Sequence, residues 1–268
     1  MKHIHSRENP FFKELKKLAG SARHRKKTAQ SLLDGVHLVQ ASIVTGHEPQ
    51  HLLVTAAALQ DGEVQALLEQ LPGVPVSQLD DSLFAEISEL KTPTGLLALI
   101  ALPGAGRPPG HIHFCLLLED IQDPGNLGSM IRSAAAAGCD AVFLSQGCAD
   151  AWSPKVLRAG MGGHFALAVH ECADLMGVAA GFGGKVYAAA LTAERSLYDC
   201  DLRGDIALAI GNEGAVLSAG LLTISQAVTI PMPGMVESLN AAAAAAVCLF
   251  EAARQRDARQ TPRGPIAS

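Results

Sequence analysis

From about residue 110 onward, short apolar runs alternate with helical stretches. This alternation constrains the fold more than any other feature of the 268-residue chain. The runs are Phe114–Leu118, Ala141–Leu144, Val186–Ala190, Ile206–Ile210 and Ala227–Ile230. Between them lie helical patterns at Leu127–Ala137, Pro154–Ala159 and Ala173–Gly181, with Ser238–Arg256 last. Strands that are apolar throughout, each followed by a helix, predict a parallel sheet with helices on both faces.

A cluster of breakers, Pro103-Gly104-Ala105-Gly106-Arg107-Pro108-Pro109-Gly110, precedes that region and predicts a linker over 103–110. Before it, residues 11–45 read as helical, His51–Thr55, Val74–Val76 and Leu96–Leu102 as strands, and Asp61–Gln70 and Asp81–Leu90 as helices. The expected organisation is therefore a small α/β domain over 1–102, a larger α/β domain over 111–260 and a frayed tail over 261–268.

The formal net charge of −5 argues against a nucleic-acid partner only if charge is evenly spread, and it is not. Residues 1–30 carry nine basic side chains against Glu8 and Glu14, a balance of +7. Residues 31–105 carry Lys91 against nine acids, a balance of −8. Lys13, Lys16, Lys17, Arg23, Arg25, Lys26 and Lys27 are accordingly candidate phosphate contacts, with Arg107, Arg158, Arg195 and Arg203 as secondary ones. A solvated helix face is the plainer reading of the same run.

Six cysteines lack C-x-x-C spacing and read as small buried hydrophobes in a reducing, cytoplasmic setting. The pairs His3/His5 and His111/His113 have no further ligand spacing, so no metal is expected. Neither a signal peptide nor a membrane span is expected either. The stretch between Glu213 and Glu237 is uncharged, but its prolines and hydroxyl residues read as loop and strand.

In open α/β sheets ligands bind beyond the carboxyl ends of strands, so the segments after each strand carry the functional signal. The dinucleotide, P-loop and nucleophile-elbow fingerprints are absent there. The glycines Gly181, Gly183 and Gly184 precede a strand and read as a helix end. Three other segments stand out. The first runs from Asp123-Pro124-Gly125-Asn126 to Arg132. The second is Gly211-Asn212-Glu213-Gly214, and the third is Ile230-Pro231-Met232-Pro233-Gly234-Met235-Val236-Glu237-Ser238-Leu239-Asn240. Six residues do not span one helical face, so Asn126 and Arg132 converge only if Asn126 belongs to the loop.

Together and in this order, the three segments resemble the N-x-G-x-x-x-R, G-N-E-G and I-P-M-x-G-x-x-x-S-L-N motifs of the SpoU/TrmH family, SPOUT-class RNA ribose 2′-O-methyltransferases. The resemblance spans roughly 113–256. A weaker likeness over 1–102, carried by Asn9-Pro10, the basic run at 23–27, Asp34-Gly35 and Thr94-Gly95, is to the substrate-binding domain of members acting on rRNA. The resemblance implies a deep C-terminal trefoil knot, S-adenosyl-L-methionine (AdoMet) as cofactor, rRNA ahead of tRNA as substrate, and a homodimer through the C-terminal domain. It assigns Gly211, Ile230, Met232, Ser238 and Leu239 to the AdoMet pocket. Arg132 becomes the catalytic arginine, supported by Asn126, Glu213, Ser238 and Asn240. Gly160 stands where the family usually has Ser.

RNA follows from the chemistry, since only RNA offers the 2′-hydroxyl. A guanidinium does not ordinarily deprotonate in proteins, so Arg132 has two readings: a base assisted by a substrate phosphate, or a phosphate clamp that polarises the hydroxyl. Two rival functions remain at this point, a non-catalytic RNA-binding protein on the same fold and a nucleotide-using enzyme on a doubly wound sheet.

Overall fold

The computed structural model describes residues 1–88, 90, 93–103, 110–212 and 217–257. Glu213, Lys91, residues 104–109 of the expected linker and the expected tail 261–268 lie outside the described residues. The chain forms two compact units: Met1–Gly104 with Asp150–Ala166, and Ala105–Ala149 with Leu167–Ser268.

The first unit contains β1 (Lys2–Ile4), α1 (Pro10–Gly20), α2 (Ala22–Thr28), β2 (Gln30–Asp34), α3 (Val36–Val44), β3 (His51–Val54), α4 (Gly62–Gln70), β4 (Val76–Leu79), α5 (Asp81–Ile87) and β5 (Leu96–Ala101). Its mixed sheet has the order β1-β4-β3-β5-β2, with β5 antiparallel to both neighbours. Asn9 starts α1 by accepting the amides of Phe11 and Phe12, with Pro10 at the first helical position. Phe12, Leu15 and Leu18 then turn to the core at helical spacing and meet Leu32, Leu53, Phe84 and Leu97.

The expected helix over 11–45 is instead two helices, a strand and a third helix. The break falls at Ala29, which takes a left-handed conformation at φ 50°. A non-glycine residue there leaves no mark in the sequence, and Leu32-Leu33 fit either period. Pairing with β5 decides the matter by burying Ser31, Leu32 and Leu33 completely.

The second half supplies β6 (Phe114–Glu119), α6 (Pro124–Ala136), β7 (Ala141–Leu144), α7 (Pro154–Gly160), β8 (Ala168–His170), α8 (Leu175–Gly181), β9 (Lys185–Ala189), β10 (Ile206–Gly211), α9 (Ala219–Ile224), β11 (Gln226–Val228) and α10 (Ala241–Asp257). Its sheet has the order β11-β9-β10-β6-β7-β8, and every pairing is parallel, as the alternation predicts. Cys115, Ala188, Ala207 and Ala209 are fully buried on the central strands, and they pack with Leu175 and Leu221 of the covering helices. Small residues on one sheet face let the helices approach closely, which explains how a chain with 4% aromatics fills a core. The short strands β1 and β8 and the helix α9 have no clear periodicity, and sequence reasoning missed them.

One helix changes unit. α7, expected among the helices of the C-terminal sheet, belongs to the first unit and packs on β2. Ser31 Oγ donates to the carbonyl of Trp152 at 2.6 Å, and Gly162 sits so close to Ala41 that an added Cβ would lie 2.5 Å from its methyl. Of the cysteines, Cys115, Cys139, Cys200 and Cys248 are buried as expected, and burial pushes the Cys115 and Cys248 thiols up to about 12. Cys172 departs from that expectation, being exposed with φ 54°.

Candidate active site

Three parallel strands, β9, β10 and β11, end together, and their continuations surround a cavity of about 290 Å³. Gly211 and Asn212 enter it from β10, Thr229, Ile230 and Met232 from β11, and Ser238 and Leu239 from the approach to α10. All five residues expected at the cofactor pocket, Gly211, Ile230, Met232, Ser238 and Leu239, line this one space. Among the described residues no charged side chain lines it. Its walls are aliphatic, and its polar groups are Thr192, Asn212, Thr229 and Ser238. An apolar cavity with a few placed polar groups suits a ligand with a flat apolar ring and a polar tail.

Sequence reasoning missed the fourth wall, Ala189-Ala190-Leu191-Thr192 after β9. Its position at a strand's carboxyl end was a usable signal, but its side chains carry no chemistry that draws notice. The β11 continuation lies against the same region: Ala190 N–H donates to Val228 at 2.9 Å, Thr229 N–H to Arg195 at 2.9 Å, and Leu197 N–H to Thr229 at 2.8 Å. Glu119 was also missed. It is the first polar residue of the apolar strand β6, beside Gly211 in register, and its carboxylate accepts the Ser218 amide at 2.7 Å. That bond holds the residue following Leu217, another wall of the cavity.

Asn126 and Asn240 meet. The Asn240 Nδ2 donates to Asn126 Oδ1 at 3.1 Å, and α6 packs along α10. Asn240 also starts α10, its Oδ1 accepting the amides of Ala242 and Ala243 at 2.9 and 3.2 Å. Ser238 is exposed and lines the cavity.

Asn126 is not in the loop as its convergence with Arg132 would require. Asp123 is the N-cap of α6 and accepts the Asn126 amide at 2.7 Å, which puts Asn126 in the first turn. At about 100° per residue the two side chains leave α6 roughly 120° apart. Arg132 is exposed and has no hydrogen bond or ion pair among the described residues. The chain thus brings Asn126 and Asn240 together but does not add Arg132 to them.

Asn240→Ala should cost about 1–2 kcal/mol, the loss of a cap and one side-chain hydrogen bond. Asn240→Asp keeps the capping oxygen and removes the Asn126 donor. Urea unfolding of both variants is the check: Asp should recover most of the stability that Ala loses, and equal losses would deny the capping role.

In the first unit Lys13 pairs with Glu8, Lys17 with Glu14, and Lys16 with Glu86. These surface pairs contribute little and leave the lysines exposed. Arg23, Lys26 and Lys27 are exposed on α2. Arg25 is the correction to the expected phosphate-contacting set: it is 4% exposed, pairs with Asp150 and donates to the carbonyls of Leu18 and Ala19. Its helical position turns it inward while its neighbours face solvent.

Comparison with known proteins places these observations. The SpoU rRNA Methylase family profile matches residues 113–250, and the MRM3-like substrate binding domain matches 9–98. The chain is 34% identical to the Bacillus subtilis 23S rRNA (guanosine(2553)-2′-O)-methyltransferase RlmP, covering 93% of this chain and 98% of that one. It is also 34% identical to an uncharacterized tRNA/rRNA methyltransferase of Synechocystis, covering 97% of this chain and 96% of that one. Among solved structures, an RNA 2′-O ribose methyltransferase superposes with a TM-score of 0.82 at 31% identity, covering 95% and 99%. The AdoMet complex of AviRb from Streptomyces viridochromogenes does so at 0.81 and 28% identity, covering 93% and 100%.

Proposed function

We propose, from the premise that this chain belongs to the SpoU rRNA methylase family, that it transfers a methyl group from AdoMet to a ribose 2′-hydroxyl of RNA. The observation that carries the reading is the convergence of Gly211, Ile230, Met232, Ser238 and Leu239 on one largely apolar cavity at the strand ends. AdoMet bound there supplies an electrophilic methyl carried on a sulfonium. The ribose hydroxyl would have to give up its proton to a neighbouring group as its oxygen takes the methyl, and an apolar wall would favour that transfer because the charges of a deprotonated oxygen and a sulfonium cancel. Arg132 holds the substrate phosphate and either takes the hydroxyl proton or polarises the hydroxyl. Asn126 and Asn240, hydrogen-bonded to each other, and Glu213 belong to the same expected set. The knotted threading of the chain implied by the family resemblance is part of this reading, supported by the β11 continuation lying against residues 190–197.

The finer assignments are rRNA ahead of tRNA, a substrate-binding role for residues 1–102, and a homodimer through the C-terminal domain. The first two are supported by the rRNA-acting relatives and the MRM3-like match. The dimer is supported by Phe250, half exposed on α10, and by an exposed Arg132 that the described residues do not bring to Asn126 and Asn240. Six free cysteines fit a reducing compartment such as the cytoplasm, and no described helix is long and apolar enough to cross a membrane.

Methyl-labelled AdoMet incubated with the protein and either rRNA or tRNA transcripts tests this directly. The label should appear in alkali-resistant dinucleotides, because a methylated 2′-oxygen no longer attacks the adjacent phosphate. Saturable AdoMet binding by calorimetry should accompany it. No AdoMet binding, or label found only on bases, sinks the proposal, and label in tRNA alone sinks the rRNA assignment.

A further inference from the structure

His111, His113 and Asp205 converge at the amino-terminal edge of the six-stranded sheet, the end opposite the cavity. The two ends of β10 are separated by roughly 17 Å of extended chain. β6 and β10 pair with Phe114 beside Ile206, and the Ile206 amide donates to the His113 carbonyl at 2.9 Å. The residues just before these strands, His113 and Asp205, are therefore held side by side. Asp140, just before β7, accepts the backbone amides of His113 and Phe114 at 2.7 and 2.9 Å and fixes the strand start from the other side.

The side chains then close on one point. His111 Nε2 lies 2.8 Å from Asp205 Oδ2, and His113 Nδ1 lies 2.9 Å from Oδ1, so each carboxylate oxygen faces one ring. One ligand atom from each of the three residues lies within 4.8 Å of the others. The rings stand edge to face with centroids 4.3 Å apart. The two histidine side chains are more than half exposed and Asp205 is 31% exposed, so burial does not force them together.

The geometry points to a binding site for a divalent transition-metal ion at His111, His113 and Asp205. Metal–nitrogen and metal–oxygen bonds of about 2.0–2.2 Å in a tetrahedral site separate neighbouring ligand atoms by roughly 3.3–3.6 Å, which these exposed side chains, with ligand atoms within 4.8 Å of one another, reach by small rotations. Two imidazoles and a carboxylate suit Zn²⁺ and its neighbours in the first transition row, with water completing the coordination. Each ring nitrogen facing Asp205 binds in its deprotonated form. The ion fastens the segment leading into β6 to the start of β10. Nothing in this assignment depends on methyl transfer.

His3, His5 and Asp80 form a second set of the same composition, both rings lying 3.0 Å from Asp80 Oδ1. It hangs on β1, a three-residue edge strand, and no described side chain fixes its backbone as Asp140 fixes His113. It serves the test as the competitor to remove.

The experiment titrates Zn²⁺ into tag-free full-length protein carrying His3→Ala and His5→Ala, in a non-chelating buffer at pH 7.5, by calorimetry. One saturable equivalent is expected. Adding His113→Ala should weaken it at least tenfold, and Asp205→Asn should do the same with the imidazoles intact. Circular dichroism of the metal-free variants checks folding; should His113→Ala fail to fold, His111→Asn replaces it. Absence of saturable binding overturns the site and leaves a hydrogen-bonded His–Asp–His cluster. Affinity changed less than threefold by both His113→Ala and Asp205→Asn overturns it too, placing the ion elsewhere.

Discussion

Arg132→Ala is expected to lower turnover by about 10²–10⁴-fold while leaving AdoMet affinity within about threefold of wild type. The asymmetry follows from position. Arg132 leaves α6 into solvent and contributes no wall to the cavity, so its loss leaves the cofactor's contacts intact. It has no described partner to destabilise, so unfolding should change by no more than about 0.5 kcal/mol. The pH–rate profile separates its two readings. If Arg132 accepts the hydroxyl proton, the variant loses the basic limb altogether. If it clamps the phosphate and polarises the hydroxyl, the limb stays and the KM for RNA rises while turnover falls. A turnover within tenfold of wild type would remove Arg132 from the chemistry. Mixing Arg132→Ala with a cavity variant that cannot bind AdoMet adds a check on the dimer: recovered activity in the mixture means that Arg132 serves a cavity of the partner chain.

What was legible in the sequence divides by kind of signal. The parallel sheet was legible because buried strands such as Phe114–Leu118 and Ile206–Ile210 have no polar alternation and are followed by helices. The cavity was legible at Gly211 and across Ile230–Leu239 through the resemblance of those glycine- and proline-marked segments to family motifs. Its Ala189–Thr192 wall was not, because those side chains contribute shape and no chemistry. The break at Ala29 and the strand β2 were hidden for a related reason: a left-handed alanine is held there by tertiary pairing that no local preference announces. The expected convergence of Asn126 and Arg132 failed on one detail. Asp123-Pro124 reads as a turn, yet Asp-Pro is equally a cap followed by a first helical residue, and the helix starts before Asn126.

Charge arithmetic misplaced one residue of the basic arm, and the consequence is the second large effect. Arg25→Ala should destabilise the first unit by about 3–5 kcal/mol, because it leaves the Asp150 carboxylate partly buried without its cation. Asp150→Ala should cost a similar amount, since it strands a guanidinium that is 4% exposed. The double variant should cost clearly less than the sum of the two, as expected of groups that share one interaction. Arg25 also donates to the carbonyls of Leu18 and Ala19, so some loss persists in the double variant. Urea unfolding followed by the fluorescence of Trp152, the single tryptophan and a member of the same unit, reads this cycle locally. RNA binding supplies the contrast. Reversing the charge of Arg23, Lys26 and Lys27 should lower affinity and flatten its salt dependence while leaving the unfolding midpoint nearly unchanged. A folded, stable Arg25→Ala protein with a flattened salt dependence would return Arg25 to the RNA-contacting set and refute its structural role.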